Sequence, residues 1–244
     1  MNRNRFSSTL PLGKGVFLFL LILFPILLSG CGGFNWFKSK ETKELEKTAE
    51  SLIQEGLDAY QRKNYKKAGE IFQNLKDRFP YHPLAIVAEL KLADSHYLNK
   101  EYEQALTAYK EFEKLHPANE IIPYVIFQQG MCYFKQMPKI DRDQTYAYKA
   151  AQEFERLIKN YPANEYEGEA RKHLLTAQKN LALHEFYIGN FYFKNKDYQA
   201  ALERFKGIAK EFPEAAHPPD LKKRIQLAEE MALASQIRPP RIRE

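Results

Sequence analysis

The stretch YKKAGEIFQNLKDRFP, Tyr65 to Pro80, returns three more times in one register, and that recurrence decides the fold. Tyr65, Ala68, Phe72 and Pro80 are answered by Tyr102, Ala105, Tyr109 and Pro117, and again by Tyr198, Ala201, Phe205 and Pro213. Another copy has Ala147 in the tyrosine's place and keeps Ala150, Phe154 and Pro162. An alanine and an aromatic four residues apart share one face of a helix, and the proline ends it. Twelve residues before the alanine stands a further small residue, Gly56, Ala93 or Gly189. Each copy therefore reads as two helices in close approach.

These positions resemble the tetratricopeptide repeat, whose helix pairs stack so that neighbours share a core. The expected fold is all-α, a right-handed tetratricopeptide-repeat solenoid of helix pairs with a capping C-terminal helix. In the third unit Gly130 lies twenty residues before Ala150, and the surplus, Met137 to Asp141, reads as a loop inserted between the two helices. Glu165 to Lys194 contains no proline and sets Ala170, Leu174, Ala177, Leu181 and Ile188 at helical spacing, which predicts one long helix entering the fourth unit. Past His217-Pro218-Pro219, Asp220 caps a helix over Leu221 to Ser235. The basic run from Arg238 to Arg243, with two prolines, cannot continue it.

The front of the chain has a different character. Arg3, Arg5 and Lys14 precede thirteen uncharged residues, Val16 to Leu28, the basic and apolar regions of an export signal. That stretch is shorter than the ~20 apolar residues a bilayer span needs. Leu28-Ser29-Gly30-Cys31 resembles the lipobox of bacterial lipoproteins, which implies cleavage before Cys31 and a diacylglycerol on its thiol. Gly32, which is not acidic, then implies sorting to the outer membrane. The expected organisation is a lipoprotein signal peptide over 1–30, a lipidated tether over 31–47, the solenoid over 48–235 and a basic, Pro-rich tail over 236–244. The formal charge of +6 falls once Arg3, Arg5 and Lys14 are removed, so composition does not call for nucleic acid. The other cysteine, Cys132, lies in an apolar helix and reads as a buried thiol.

In such a stack the first helix of each pair lines the concave side. Four residues after each small residue stand Tyr60, Tyr97, Phe134 and Phe193. With Leu57, Leu90 and Asp94 at neighbouring offsets, they form a candidate groove for an extended peptide. The same spacing suits rings packed between adjacent helices, so groove and core both remain open. The histidines are scattered, no H-E-x-x-H occurs and no glycine-rich phosphate loop follows a strand. No enzyme, metal or cofactor is expected.

The lipobox, the repeat order, the insertion and the long helix, together with Phe79-Pro80-Tyr81 and the run from His184 to Gly189, resemble the BamD family from Cys31 to about Pro213. The resemblance implies a periplasmic adaptor, lipid-anchored to the outer membrane and part of its β-barrel assembly machinery. N-terminal repeats would receive unfolded outer-membrane protein precursors, read at an aromatic-ended C-terminal strand. C-terminal repeats would bind the POTRA domain of BamA, beside other subunits of the machine. The family completes a fifth helix pair where this chain has one helix and a tail, so no BamA contact residue is carried over. A pilotin-like or cell-wall-coordinating tetratricopeptide lipoprotein is the alternative.

Overall fold

The computed structural model describes residues 47–215 and 218–237. The signal, Cys31, the tether up to residue 46 and the tail from residue 238 lie outside the described residues. Within them there are nine helices and no strand. They are α1 (Ala49–Gln61), α2 (Tyr65–Arg78), α3 (Pro83–Leu98), α4 (Tyr102–Leu115), α5 (Ile122–Phe134), α6 (Thr145–Asn160), α7 (Glu167–Lys194), α8 (Tyr198–Glu211) and α9 (Leu221–Ile237). None is long and apolar enough to cross a membrane.

The punctuation is local and repeats from unit to unit. Lys63, Lys100 and Lys196 adopt φ of 60°, 65° and 64°, the left-handed conformation that turns the chain from first helix to second. In each case the next residue's N–H reaches back to the first helix, as Asn64 N does to Ala59 O at 2.9 Å. Asn64 and Asp197 then cap the second helix, accepting from the N–H of Lys67 and of Ala200 at 3.3 Å. At the far end, Phe79, His116, Tyr161 and Phe212 all sit near φ −130° and ψ 50–66°, off the helical region. Each precedes a proline, whose ring disfavours the α conformation in the residue before it.

Within a pair, the small residue of the first helix meets the aromatic of the second. A Cβ built on Gly56 would stand 2.5 Å from the Phe72 ring, and one on Gly130 would stand 2.6 Å from Phe154; Gly189 faces Phe205 in the same way. All three rings are fully buried. Consecutive helices pack from α1 to α9. First helices also touch one another, α1 with α3 and α5 with α7.

Two departures from regularity shape the C-terminal half. The inserted loop folds back on α7: Gln144 Nε2 donates to the carbonyls of Lys139 and Arg142 at 2.8 Å, Asn180 Nδ2 donates to Gln144 Oε1, and His184 Nδ1 lies 2.6 Å from Ile140 O. The long helix is continuous over 28 residues, or about 42 Å at 1.5 Å per residue. Thirteen residues after Pro80 and Pro117 come Ala93 and Gly130, each under its own second helix, but thirteen after Pro162 comes Leu175, 41 % exposed. No second helix among the described residues covers it. The helix carries on for fourteen residues, about 21 Å, before Gly189 meets Phe205. Past Pro213 the chain reaches α9, which buries Leu221, Ala228 and Ala232.

Candidate peptide-binding groove

The four aromatics at equivalent positions of the first helices are all half-buried. In three units the ring meets the residue that opens the second helix, edge to face. Tyr60 packs on Tyr65 at 5.5 Å and 72°, Tyr97 on Tyr102 at 5.5 Å and 64°, and Phe193 on Tyr198 at 5.3 Å and 69°. The third unit has Ala147 in that place, and Phe134 turns to Phe154 and to His173, 4.6 Å away. These contacts fix each ring while leaving part of it open, as a recognition surface requires. Leu57 and Tyr60 both pack on the N-terminal core, and Leu90, Tyr97 and Phe134 on the central one. Burial pushes the hydroxyls of both Tyr60 and Tyr97 up to about 12, helped by the charge of Asp94 at Tyr60. Both stay protonated donors at neutral pH.

Asp94 lies deeper than its offset implies, at 3 % exposure. Its Oδ1 accepts from the hydroxyls of Tyr109 and Tyr124, each at 2.8 Å, and Lys91 Nζ donates to Oδ2 at 2.8 Å. Burial first, then the Asp94 charge, raises both tyrosine hydroxyls well above their ordinary value. The carboxylate thus serves the interior, joining α3 to α4 and α5. What it presents to the surface is the ammonium of Lys91, held 5.1 Å above the Tyr60 ring.

Lys91 belongs to a row that the aromatic spacing alone does not reveal. Eleven residues after the four prolines stand Lys91, Gln128, His173 and Arg224. Lys91 lies over Tyr60, His173 over Phe134 and Arg224, at 5.4 Å, over Phe193. Gln128 keeps its amide oxygen buried without a partner among the described residues. Burial lowers the imidazole of His173 below its ordinary value and so favours its neutral form. Each groove aromatic of the first, third and fourth units is therefore covered by a nitrogen-bearing side chain from the following unit. Counting from the prolines would have found this row, whereas counting from the small residues found the rings.

Other chemistry has little purchase here. Among the described residues no cluster of His, Cys, Asp and Glu is placed to hold a metal ion. Cys132 is buried, and burial pushes its thiol up to about 12, away from the nucleophilic thiolate.

Comparison with known proteins finds relatives over most of the chain. The family model described as YfiO, an outer membrane lipoprotein, matches residues 45–239. The chain is 27% identical to the outer membrane protein assembly factor BamD of Caulobacter vibrioides over 85% of this chain and 68% of that protein. It is 28% identical to the BamD of Rickettsia prowazekii over 81% of this chain and 76% of the relative. For the BamD of Neisseria gonorrhoeae the figures are 25%, 78% and 75%. Among solved structures, MamA from Desulfovibrio magneticus RS-1 aligns with 84% of this chain and all of its own at 15% identity, with a TM-score of 0.39, too low to add to the argument.

Proposed function

Because this chain belongs to the YfiO family of outer membrane lipoproteins, we propose that it serves as the BamD-type lipoprotein of the outer-membrane β-barrel assembly machinery. It is a scaffold and not an enzyme. A diacylglycerol on Cys31 holds it at the periplasmic face of the outer membrane. Its first helices receive unfolded outer-membrane protein precursors, and its C-terminal half engages the POTRA domain of BamA.

The observation that carries this reading is the row of fixed, half-open aromatic rings at one position of each repeat. An extended strand of a barrel precursor alternates large apolar and polar side chains, and a ladder of such rings offers it repeated apolar contacts at little entropic cost. The C-terminal half supports a second docking region on different grounds. The continuous α7 leaves Tyr187 and Phe191, one turn apart, about half exposed, an aromatic pair open to a partner.

The test is binding of a synthetic client peptide, ten residues ending in Phe, to the full chain in detergent. Replacing Tyr60 and Tyr97 together by alanine is expected to weaken binding at least tenfold while the helical signal stays unchanged. Equal binding by the double variant would remove the groove from the account. Co-purification from solubilised membranes tests the partner: recovery of BamA supports the assignment, and recovery of a secretin in its place overturns it.

A further inference from the structure

We infer that the open flank of α7 around Leu175 is a seat for one helix of a partner protein, about four turns long, with a small residue at its centre and lysine or arginine along its sides. The seat shares no residue with the aromatic groove, so it goes beyond the client reading and does not rest on it.

The interrupted stack sets its dimensions. α6 packs on the first half of α7, with Phe154 stacked on His173 and Gln178 bonded to Glu155, whereas α8 closes on the second half at Gly189. Beside the first half, where a second helix in regular register would lie, is a cleft of about 660 Å³. Tyr148 and Glu155 of α6, Gln178 and Leu181 of α7, and Glu211 and Phe212 at the end of α8 line it. In the N-terminal half α4 fills the corresponding place, packed on α3 and tied to α2 by Lys76 and Glu111 at 3.0 Å. From Leu175 to Gly189 is fourteen residues, and α2, α4 and α8 are each fourteen residues long. The stack has therefore skipped the length of one second helix, about 21 Å.

The side chains say what kind of helix fits. In the closed pairs the first helix offers a small residue and the second brings a ring. Leu175 reverses this, since it projects from the first helix and demands a small residue opposite. The second helices of another copy of this chain are unsuited, because they bring Phe72, Tyr109, Phe154 or Phe205 to that position. The chain's own tail beyond Ile237 has seven residues, two of them proline, too few for four turns. Charge points the same way. Glu155 is bonded to the uncharged amide of Gln178, and Glu211 has no basic side chain bonded to it among the described residues. Glu185, also at the cleft, is bonded to Arg204 at 2.9 Å, and Lys149 is turned to the Tyr133 ring 5.6 Å away. Two carboxylates thus flank an apolar floor of Leu175, Leu181 and Tyr148, which matches an amphipathic helix with basic sides.

The probe is a lactam-stapled fourteen-residue peptide with a leucine stripe, one central alanine on that stripe and lysines on both sides, the staple holding a helix too short to persist alone. It is titrated against the full chain in detergent by fluorescence anisotropy, beside a version with phenylalanine for the central alanine and one with glutamates for the lysines. Wild type is expected to bind the alanine peptide about tenfold more tightly than either. Leu175→Ala, which opens room for a ring, should reverse the preference between alanine and phenylalanine. Glu155→Lys with Glu211→Lys should weaken the alanine peptide about tenfold and let the glutamate version recover most of the loss. Replacing Tyr60 and Tyr97 by alanine should change nothing here. Absence of saturable binding, or equal binding of the alanine and phenylalanine peptides by wild type, overturns the seat and leaves the client groove standing. Loss of binding in the Tyr60 and Tyr97 double variant places the peptide in the groove and also overturns it. A wild-type dimer in sedimentation that the alanine peptide dissociates would assign the seat to a second copy and overturn the partner helix.

Discussion

The second helix pair and the other three solve the same packing problem by different means. In α1–α2, α5–α6 and α7–α8 a glycine leaves room for a phenylalanine ring against bare backbone. In α3–α4 the small residue is Ala93 and the ring is Tyr109, whose hydroxyl is tied to Asp94 beneath the groove. The first solution depends on shape alone. The second adds a polar anchor, and that anchor reaches the surface through Lys91. The difference teaches that the repeat scaffold is generic, while one unit has been given a buried charge whose main visible effect is to position a surface cation.

Substitutions can break that comparison. Asp94→Ala should be the most damaging, since it leaves two buried hydroxyls without an acceptor and Lys91 without its partner; a loss of about 3 kcal/mol is expected in chemical denaturation. Gly130→Ala comes next. The added methyl collides with the buried Phe154 ring, a strain of about 1–3 kcal/mol that outweighs the ~1 kcal/mol gained from alanine's better helix propensity only if the ring cannot shift. A net loss in melting temperature is the predicted outcome, and no loss would show that the ring yields. Tyr109→Phe gives the second unit the others' ring, with Ala93 still in the glycine's place, and removes one of the three donors to Asp94, at about 1 kcal/mol. Leu175→Ala, at the position equivalent to Gly130 but uncovered, should stay within ~0.5 kcal/mol. A large loss there would mean that a helix covers α7 after all.

The smallest effect is one of pH. His173 takes in the third unit's groove the place Lys91 takes in the first, and burial lowers its folded value below the ordinary 6.5; of the charges around it Glu169 opposes the shift, while Lys135 and Lys172 add to it. Below about pH 6.5 the unfolded chain binds a proton that the folded chain resists. The stability associated with neutral His173 is therefore complete above that pH and declines as pH falls through the lower folded value. Melting temperatures between pH 7.5 and 5.5 should drop more for wild type than for His173→Phe. Parallel curves would show that other groups govern the acid limb.

Much of this was legible in the residues. The register of tyrosine, alanine, aromatic and proline located the pairs, and the missing proline between residues 165 and 194 foretold α7, observed over Glu167–Lys194. The aromatic row was legible because its spacing matches the small residues on which the pairs close. Its double nature was not: whether a ring packs or stays open depends on the turn, and Lys63, Lys100 and Lys196 give no compositional sign that they adopt positive φ. Asp94 looked like a groove contact because a charged residue one position from a core alanine is normally solvated; three donors from α3, α4 and α5 keep it buried instead. Lys91 was hidden for the opposite reason, being one lysine among many on helix surfaces until its anchor was visible. Lipidation at Cys31 falls outside the described residues and stays a proposal from the lipobox alone.

The central claim is that the inner row of aromatics, and not the outer face, meets the client. Photo-crosslinking in intact membranes tests it most directly, with a benzophenone amino acid at Tyr97 of α3 or at Tyr148 of α6, an exposed position on a second helix. The account predicts adducts with newly exported outer-membrane proteins from position 97 and few or none from 148. Adducts from 148 alone, or equal yields at both sites, would contradict it.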